Sequence, residues 1–151
     1  MPNWVRGEYE ITTDPVCIDP QTVQGWLRET YWARGIPLEK VVRSMEGSEC
    51  FGVLRDTELV GFARAVTDYA TFAWVCDVYI AEPFRGQGLA KWLIKTMREH
   101  PQLQRLRRWV LATHDAHEIY KHCGFRSLRR PENWLEIRAE DPYGVDTTSD
   151  L

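Results

Sequence analysis

Apolar residues recur along the chain at two spacings, one helical and one alternating. Helical spacing after Asp19 and Pro20 predicts a first helix over residues 20–33, and a second follows over residues 37–45. Short apolar runs divided by polar turns predict three consecutive antiparallel strands. These strands cover residues 51–54, 59–66 and 72–80. The first half is therefore expected to consist of two helices followed by a β-meander.

The second half of the chain alternates helices with strands. We expect a helix over residues 89–100, where Pro101 ends it, and a short helix over residues 115–122. Strands are expected over residues 108–112 and 134–137. This element order predicts an α+β fold, with a mixed and mostly antiparallel sheet flanked by helices.

Composition is that of an ordinary globular protein. Of its 151 residues, 44% are hydrophobic and 27% charged, which suits one domain over residues 1–140. Residues 141–151 form a polar tail that we expect to be frayed. The net charge of −3 argues against a nucleic-acid partner. Because no apolar run resembles a signal peptide or a membrane span, we expect a cytoplasmic protein without a membrane partner.

The positions of the cysteines and histidines argue against disulfides and against a metal site. The four cysteines are dispersed, and no two form a Cys-x-x-Cys pair: Cys17, Cys50, Cys76 and Cys123. Three have apolar or strand-like surroundings, where cysteine behaves as a small hydrophobe, and a reducing compartment suits them. His114, His117 and His122 are close in sequence, but no cysteine or carboxylate set completes a metal site with them. We expect no bound metal.

A glycine-containing loop joins the third predicted strand to the following helix. Two glycines flank Gln87 and leave backbone N–H groups uncovered where the helix begins, which suits a phosphate anion. Arg85 adds a permanent cation. A pyrophosphate cradle and a plain strand-to-helix connection are both consistent with this loop. The third glycine and acidic residue of the dinucleotide fingerprint are missing, as is the Walker pattern, which argues against nicotinamide and simple nucleotide cofactors.

Two motifs resemble those of the GNAT superfamily of N-acetyltransferases. The loop matches Arg/Gln-x-x-Gly-x-Gly/Ala through Arg85, Gly88 and Ala90. About 30 residues later, residues 116–125 match Ala-x-x-x-Tyr-x-x-x-Gly-Phe. The element order agrees as well, so the resemblance extends over most of the chain, from about residue 20 to residue 137. It implies a GNAT-like acyl-CoA N-acyltransferase fold.

The resemblance implies acetyl-CoA as the acyl donor, with no metal. The loop would hold its pyrophosphate through Arg85, Gly86, Gln87, Gly88, Leu89 and Ala90. In the family, the strand before the loop separates from its neighbour at a bulge, and its free edge pairs with the pantetheine amides. The corresponding residues here are Val78, Tyr79 and Ile80. Many members carry asparagine where this chain has Thr113, whose hydroxyl would keep a weaker pantetheine contact.

The resemblance also suggests catalytic residues. Tyr120 matches the family tyrosine near the cofactor sulfur and would donate a proton to the leaving thiolate. The alternative is that Tyr120 only packs its helix against the core. A backbone N–H near Val78 would stabilise the oxyanion. Asp77 interrupts an apolar strand, so it either attracts the acceptor ammonium and relays its proton or is a structural carboxylate bonded to a basic side chain.

In the family, the first two helices and later hairpin loops form the acceptor pocket. These regions carry aromatic and acidic side chains that could hold a cation: Tyr31, Trp32, Asp68 and Tyr69. Trp26 and Tyr31 also have the spacing of simple core residues.

The resulting hypothesis is an N-acetyltransferase that acetylates a primary amine of a small molecule by direct transfer in a ternary complex. No obvious covalent nucleophile favours a two-step route. The alternatives are acetylation of a protein lysine or N-terminus, and a non-catalytic module that binds acyl-CoA as a regulatory ligand. A homodimer through the sheet edge, or through the late strand near Trp134, is also consistent with the resemblance.

Overall fold

The computed structural model describes residues 2–145, which form a six-stranded sheet with the strands in sequence order. The strands are β1 (Asn3–Arg6), β2 (Tyr9–Thr12), β3 (Glu49–Arg55), β4 (Glu58–Thr67), β5 (Phe72–Ile80) and β6 (Arg108–Val110). Neighbouring strands are antiparallel except for β5 and β6, which are parallel. The sheet is therefore mixed and mostly antiparallel, and the predicted α+β class is confirmed.

In the described part of the chain, four helices flank the sheet: α1 (Pro20–Leu27), α2 (Leu38–Glu46), α3 (Leu89–Glu99) and α4 (His117–His122). The side chain of Asp19 caps α1 by accepting a hydrogen bond from the backbone N–H of Gln21, and Pro20 occupies the first turn. Gly47 follows the last residue of α2. Single 3₁₀ turns lie at residues 15–17, 82–84, 101–103 and 131–133.

Each face of the sheet buries its own apolar cluster. Strands alternate their side chains between faces, so Phe51 and its neighbour Phe62 on the adjacent strand point in opposite directions. Phe51 packs in the cluster that includes the buried stripe of α3, formed by Leu89, Leu93, Ile94 and Met97. Phe62 packs with Val23, Leu27 and Val41 from α1 and α2. Helices on both faces hold the sheet in place and fix the position of β5.

The strand β5 bulges against β4 and separates from β6 near its C-terminal end. Its register with β4 changes after Phe62↔Tyr79, because the next pair is Arg64↔Cys76, and Asp77 lies in the resulting bulge at φ 57°. On the other side, β5 pairs with β6 only over Phe72–Trp74. The later residues of β5 therefore have a free backbone edge. The bulge and separation implied by the GNAT resemblance are confirmed.

Two predictions about strands were wrong. The hairpin β1–β2 was missed, since its short strands carry charged residues and turn at Gly7, whose φ is 61°. The strand expected over residues 134–137 is absent: these residues are exposed and outside the sheet. Its alternating pattern favours an extended backbone, but a strand also needs a hydrogen-bonding neighbour.

Some predicted boundaries also change. The first helix ends at Leu27 instead of residue 33, because the following residues form turns and the carbonyl of Arg28 accepts from the N–H of Gly35, whose φ is 75°. The strand β6 ends at Val110, and α4 begins at His117. In the tail, Tyr143 packs against the cluster around Phe62, so its first residues are docked onto the domain. Residues 146–151 of the predicted tail lie outside the described residues.

Candidate active site

A cleft of about 1080 Å³ opens where β5 and β6 part. Its lining comes from the end of β5, the loop before α3, the segment after β6, α4, and the connection between α1 and α2. Most of the residues predicted from the sequence line it together: Tyr31, Trp32, Asp77, Val78, Tyr79, Ile80, Arg85, Gly86, Gly88, Leu89, Ala90, Thr113 and Tyr120. The fold thus brings the predicted cofactor loop and Tyr120 into one cavity.

The loop before α3 turns through two left-handed glycines. Gly86 has φ 84° and Gly88 has φ 80°, a region that strains other residues. Gly88 directly precedes Leu89, the first residue of α3, and no side chain among residues 2–145 caps this helix. A Cβ atom on Gly86 would meet nothing within 4 Å. There is open space beside Gly86, and a Cβ atom on Gly88 would lie 3.4 Å from Nη2 of Arg6, so the uncapped start of α3 has a cation beside it, as suits an anion site at a helix N-terminus.

Arg85 supplies positive charge beside this loop. Its Nε donates to the carbonyl oxygen of Ile80 at 2.7 Å, and its Cζ lies 5.1 Å from the ring centroid of Tyr79. These contacts orient the guanidinium and leave its terminal nitrogens without a hydrogen-bond partner among the described residues. Those nitrogens can bind phosphate oxygens in two-pronged fashion.

Arg6 and Lys91 add two cations that the sequence analysis did not identify. Arg6 reaches from β1, where its Nη2 donates to the carbonyl oxygen of Gln87 at 3.0 Å. Its Cζ lies 5.3 Å from the Trp92 ring centroid. Lys91 lines the cleft from the first turn of α3. Arg6 could not be found because the hairpin that carries it was missed.

Gln87 and Thr113 are held by local hydrogen bonds. Gln87 does not line the cleft, and its side-chain amide donates to the carbonyl oxygen of Phe84 at 3.0 Å. The hydroxyl oxygen of Thr113 accepts from the backbone N–H of Ala116 at 3.1 Å, just before α4. Thr113 lines the cleft, so its hydroxyl proton still has a direction in which to donate.

The carboxylate of Asp77 is already fully engaged. One oxygen accepts from Arg64 Nε at 2.6 Å and the other from Trp32 Nε1 at 2.9 Å. Only 8% of its side chain is exposed. Arg64 in turn donates to the hydroxyl of Ser48 at 2.9 Å. This geometry matches the structural alternative for Asp77, since a proton acceptor would need a free oxygen facing the acceptor.

The phenol of Tyr120 lies in the cleft with its ring edge-to-face on Phe125, at a centroid distance of 6.0 Å. Burial raises the pKa of Tyr120 to about 12, and Tyr31 and Asp115 act in the same direction. Among the described residues its hydroxyl has no hydrogen-bond partner. Tyr120 is therefore protonated at neutral pH, with its donor free for a group in the cleft.

The thiols nearest the cleft are poor nucleophiles. Burial raises the pKa of Cys76 to about 12, although Arg64 opposes the change. The pKa of Cys50 is raised to about 12 for the same reason. Since the thiolate is the reactive form, both side chains are inert at neutral pH.

Aromatic side chains line the part of the cleft between the α1–α2 connection and α4. The Tyr31 ring contacts those of Trp32 and His114 edge-on, at centroid distances of 5.0 Å and 4.2 Å. Tyr31 therefore joins the α1–α2 connection to the segment between β6 and α4. The Trp26 ring stacks on the Tyr79 ring at a centroid distance of 5.2 Å. Trp26 lines the cleft and also packs against the apolar cluster of α1 and α2. Tyr143 also lines the cleft, although the sequence analysis placed it in a frayed tail.

Two predicted acceptor residues lie elsewhere. Asp68 and Tyr69 belong to the turn between β4 and β5, outside the cleft lining. Hydrogen bonds from Thr71 and Ala70 hold the pKa of Asp68 well below its usual range, and this turn uses both of its oxygens. The Tyr69 hydroxyl donates to Glu49 at 2.9 Å. The sequence placed them near β5 but could not show at which end of it the cleft opens.

Charged groups divide the cleft. Arg85 and Lys91 lie at the loop and the start of α3, whereas Glu29 and Asp115 lie beside the aromatic residues.

Over residues 2–145 there is no group of three or more metal-ligating side chains. None of the described helices is long and apolar enough to cross a membrane.

Residues 17–125 match the Acetyltransferase (GNAT) family. "Putative acetyltransferase FG08082" of Gibberella zeae is 29% identical over 149 residues, covering 84% of each chain. A GNAT-family crystal structure from Xanthomonas campestris pv. campestris is 38% identical, with a TM-score of 0.87 over 91% of this chain and 97% of that one.

A second crystal structure shares the fold at lower identity. It is that of a "predicted acetyltransferase with acetyl-CoA" from Clostridium acetobutylicum, 14% identical, with a TM-score of 0.63 over 86% of this chain and 94% of that one. The family match covers most of the chain, and the bulged strand, the glycine loop and Tyr120 meet in one cleft. The chain therefore belongs to the GNAT acetyltransferase family.

Proposed function

We propose that this protein transfers an acetyl group from acetyl-CoA to a primary amine of a small molecule, by direct attack in a ternary complex. The observation that carries the proposal is the shared cleft: the free edge of β5, the uncapped start of α3 and the Tyr120 hydroxyl open into the same space. These are the donor groups that a diphosphate, a chain of amides and a leaving thiolate require.

The loop and β5 fit the two polar parts of coenzyme A. The N–H groups at the start of α3, with Arg85 and Lys91, form a cationic site for the diphosphate. The free backbone edge at Val78, Tyr79 and Ile80 offers hydrogen bonds to the pantetheine amides, as a strand edge does to an added strand. Acetyl-CoA is named with the Clostridium relative, which agrees with this assignment.

The chemistry then needs an oxyanion donor and an acid. The neutral amine attacks the thioester carbonyl, and a backbone N–H near Val78 in the bulge stabilises the developing oxyanion. As the carbon–sulfur bond breaks, Tyr120 gives its proton to the thiolate. Burial keeps Tyr120 protonated at neutral pH, so its proton is available when the thiolate forms. The bound ammonium group loses one proton to solvent before attack and a second proton after it, through the open side of the cleft, and Tyr120 regains a proton from solvent once the thiol has formed.

Direct transfer is favoured because the cleft offers no activated thiol. Cys76 lines the cleft, but its pKa of about 12 leaves almost no thiolate at neutral pH. A two-step route would need an acyl-enzyme nucleophile with a base beside it.

The acceptor is a cationic amine of modest size. Aromatic rings of Tyr31, Trp32 and Tyr143 can hold an ammonium group, and Glu29 and Asp115 give that part of the cleft negative charge. The Tyr31–His114 contact at 4.2 Å crosses between two connections and restricts the passage of an extended peptide. This contact favours a small molecule over a protein lysine or N-terminus.

Calorimetric titration with acetyl-CoA, followed by a thiol-release screen over amines, tests the proposal. We expect saturable binding that Arg85→Ala weakens, and turnover of diamines or similar cationic amines. Arg43→Ala, on α2 and away from the cleft lining, is the matched control. Binding without turnover of any amine would support a non-catalytic acyl-CoA module instead. Absence of binding would contradict the cofactor assignment.

A further inference from the structure

Arg64 is a cleft residue with a hydrogen-bond donor that the acetyl-transfer chemistry does not use. Its Nε donates to Asp77 at 2.6 Å, and its Nη1 donates to Ser48 at 2.9 Å. The third nitrogen, Nη2, has no hydrogen-bond partner among the described residues and is not closed off from solvent. Arg64 lines the cleft, and 17% of its side chain is exposed. A guanidinium that two bonds hold in place thus keeps one nitrogen for a group inside the cleft.

Tyr143 offers a second donor near Arg64. Its side chain is half-buried and lines the cleft, and its hydroxyl has no hydrogen-bond partner within residues 2–145. Burial raises the pKa of this phenol, the charge of Asp77 acts in the same direction, and Arg64 opposes them, so both charged groups are close to Tyr143. The hydroxyl keeps its proton at neutral pH. Arg64 and Tyr143 therefore present two donors to one region of the cleft.

The charge of this region suits a carboxylate better than a phosphate. Asp77 balances the charge of Arg64, and Cys76 beside them is un-ionised because burial raises its pKa to about 12. By contrast, Arg85 and Lys91 make the loop before α3 cationic. A doubly charged phosphate favours that cationic loop, whereas a carboxylate needs one donor for each of its two oxygens.

The two donors lie close to the expected reaction centre. Asp77, which is bonded to Arg64, directly precedes Val78, near which the oxyanion donor is proposed. Neighbouring residues in a strand are about 3.3 Å apart along its axis. A carboxylate bound by Arg64 therefore brings an amine on its adjoining carbon close to the thioester carbonyl.

We propose that the acceptor is a cationic α-amino acid whose carboxylate binds Nη2 of Arg64 and the hydroxyl of Tyr143. This inference rests on the acetyl-transfer proposal and names the class of its acceptor. The bond from the α-nitrogen to the acetyl carbon forms as the carbon–sulfur bond breaks. The amine gives its protons to solvent, and the thiolate takes a proton from Tyr120. The side-chain ammonium lies among the aromatic rings, near Glu29 and Asp115.

Matched acceptors that differ only by a carboxylate test the proposal. Lysine and cadaverine are one such pair, and ornithine and putrescine are another. We expect kcat/KM to be about tenfold or more higher for the amino acid of each pair, because a hydrogen bond to a charged group is gained, and we expect the acetyl group on the α-nitrogen. Lysine methyl ester, which lacks the negative charge, should react like cadaverine. Equal rates within both pairs, or acetylation of the side-chain nitrogen, would overturn the proposal.

Two variants test whether the preference comes from these donors. Tyr143→Phe removes only a hydroxyl and should lower the preference for lysine over cadaverine about threefold, whereas Tyr9→Phe, outside the cleft lining, should leave it unchanged. Arg64→Lys keeps a cation beside Asp77 but lacks the third nitrogen, and it should lower the preference about tenfold. The preference is a ratio measured on one sample, so a smaller folded fraction does not alter it. An unchanged preference in both cleft variants would contradict the assignment.

Equilibrium binding separates this inference from the acetyl-transfer proposal. Calorimetric titration of lysine and cadaverine into the protein in the presence of CoA reports the carboxylate contact without turnover. Tighter binding of lysine that Arg64→Lys abolishes, in a protein that acetylates neither compound, would support the carboxylate site and overturn acetyl transfer. Turnover of cadaverine without any preference for lysine would overturn the carboxylate site alone. Binding of neither compound would also overturn the carboxylate site.

Discussion

Asp77 combines an unfavourable backbone conformation with a fully bonded carboxylate. A non-glycine residue at φ 57° is tolerated best when it is Asp or Asn. The bonds to Arg64 and Trp32 hold it in the bulge where β5 changes register with β4. We therefore expect Asp77 to act by positioning Arg64 and Trp32.

Replacing Asp77 with asparagine tests this positioning role. Asn tolerates the left-handed backbone but leaves the buried guanidinium of Arg64 without a counter-ion, so we expect a loss of about 2–4 kcal/mol in the free energy of unfolding. Urea denaturation measures it, with Asp56→Asn as the matched control, since Asp56 has the same φ of 57° but is exposed and outside the cleft lining. If Asp77 were the catalytic base, kcat would collapse while stability stayed near wild type.

The Tyr120→Phe variant tests whether Tyr120 is the general acid. Removing the hydroxyl should lower kcat by about 10²-fold, the lower range for general acid catalysis, and leave acetyl-CoA binding nearly unchanged. The pH profile adds a second readout. Because burial raises the pKa to about 12, the protonated and active form of Tyr120 persists as pH increases through its ordinary value of 10. A falling limb below pH 10 that disappears in the Phe variant would contradict this account.

Helices and strands could be predicted where the local sequence pattern and the tertiary packing favour the same structure. The hairpin β3–β4, the helix α2 and the glycine loop before α3 have strong periodicity or turn residues, and they form as expected. The predicted strand at residues 134–137 failed because strand formation depends on a neighbour that the local sequence does not contain. The short hairpin β1–β2 was missed for the opposite reason: its pairing with β3 rescues a weak local pattern.

The Gly86→Ala variant tests whether the left-handed turn before α3 is needed for cofactor binding. Gly86→Ala introduces a Cβ that touches nothing within 4 Å, so its effect comes from φ 84° alone. A left-handed alanine costs about 1–2 kcal/mol, and a loop that relaxes to avoid this cost should bind acetyl-CoA roughly tenfold more weakly.

Gly25→Ala is the matched control for the loop, since it also meets nothing within 4 Å but lies inside α1. It should stabilise the protein by about 0.5–1 kcal/mol without changing cofactor affinity. Thermal unfolding and calorimetric titration of both variants give the comparison. Equal affinity in the two variants would show that the loop geometry does not matter for binding.

The candidate active site is formed by segments that are far apart in the sequence. The cleft draws on the α1–α2 connection, β5 with its loop, the region after β6, and Tyr143 near the C-terminus. Apart from Thr113, the residues expected to hold the cofactor are nearly contiguous, from Val78 to Ala90, so their proximity in the cleft was predictable. Of the residues expected on the acceptor side, Tyr31 and Trp32 line the cleft, whereas Asp68 and Tyr69 do not, and Tyr143 was not expected there. The residues of the acceptor side meet only through tertiary packing.

Tyr143→Ala tests whether the C-terminal segment belongs to the acceptor side. Tyr143 lines the cleft near Asp77 and Arg64, and burial, followed by the charge of Asp77, raises the pKa of its phenol. We expect the KM for the amine to rise at least fivefold, equivalent to about 1 kcal/mol of lost binding, while the Kd for acetyl-CoA stays the same. Tyr9→Ala, which truncates a half-buried tyrosine on β2 away from the cleft, controls for general destabilisation. A parallel loss of acetyl-CoA affinity in the Tyr143 variant would mean that this segment supports the fold of the cleft as a whole, because an acceptor contact alone cannot weaken binding of the free enzyme to its donor.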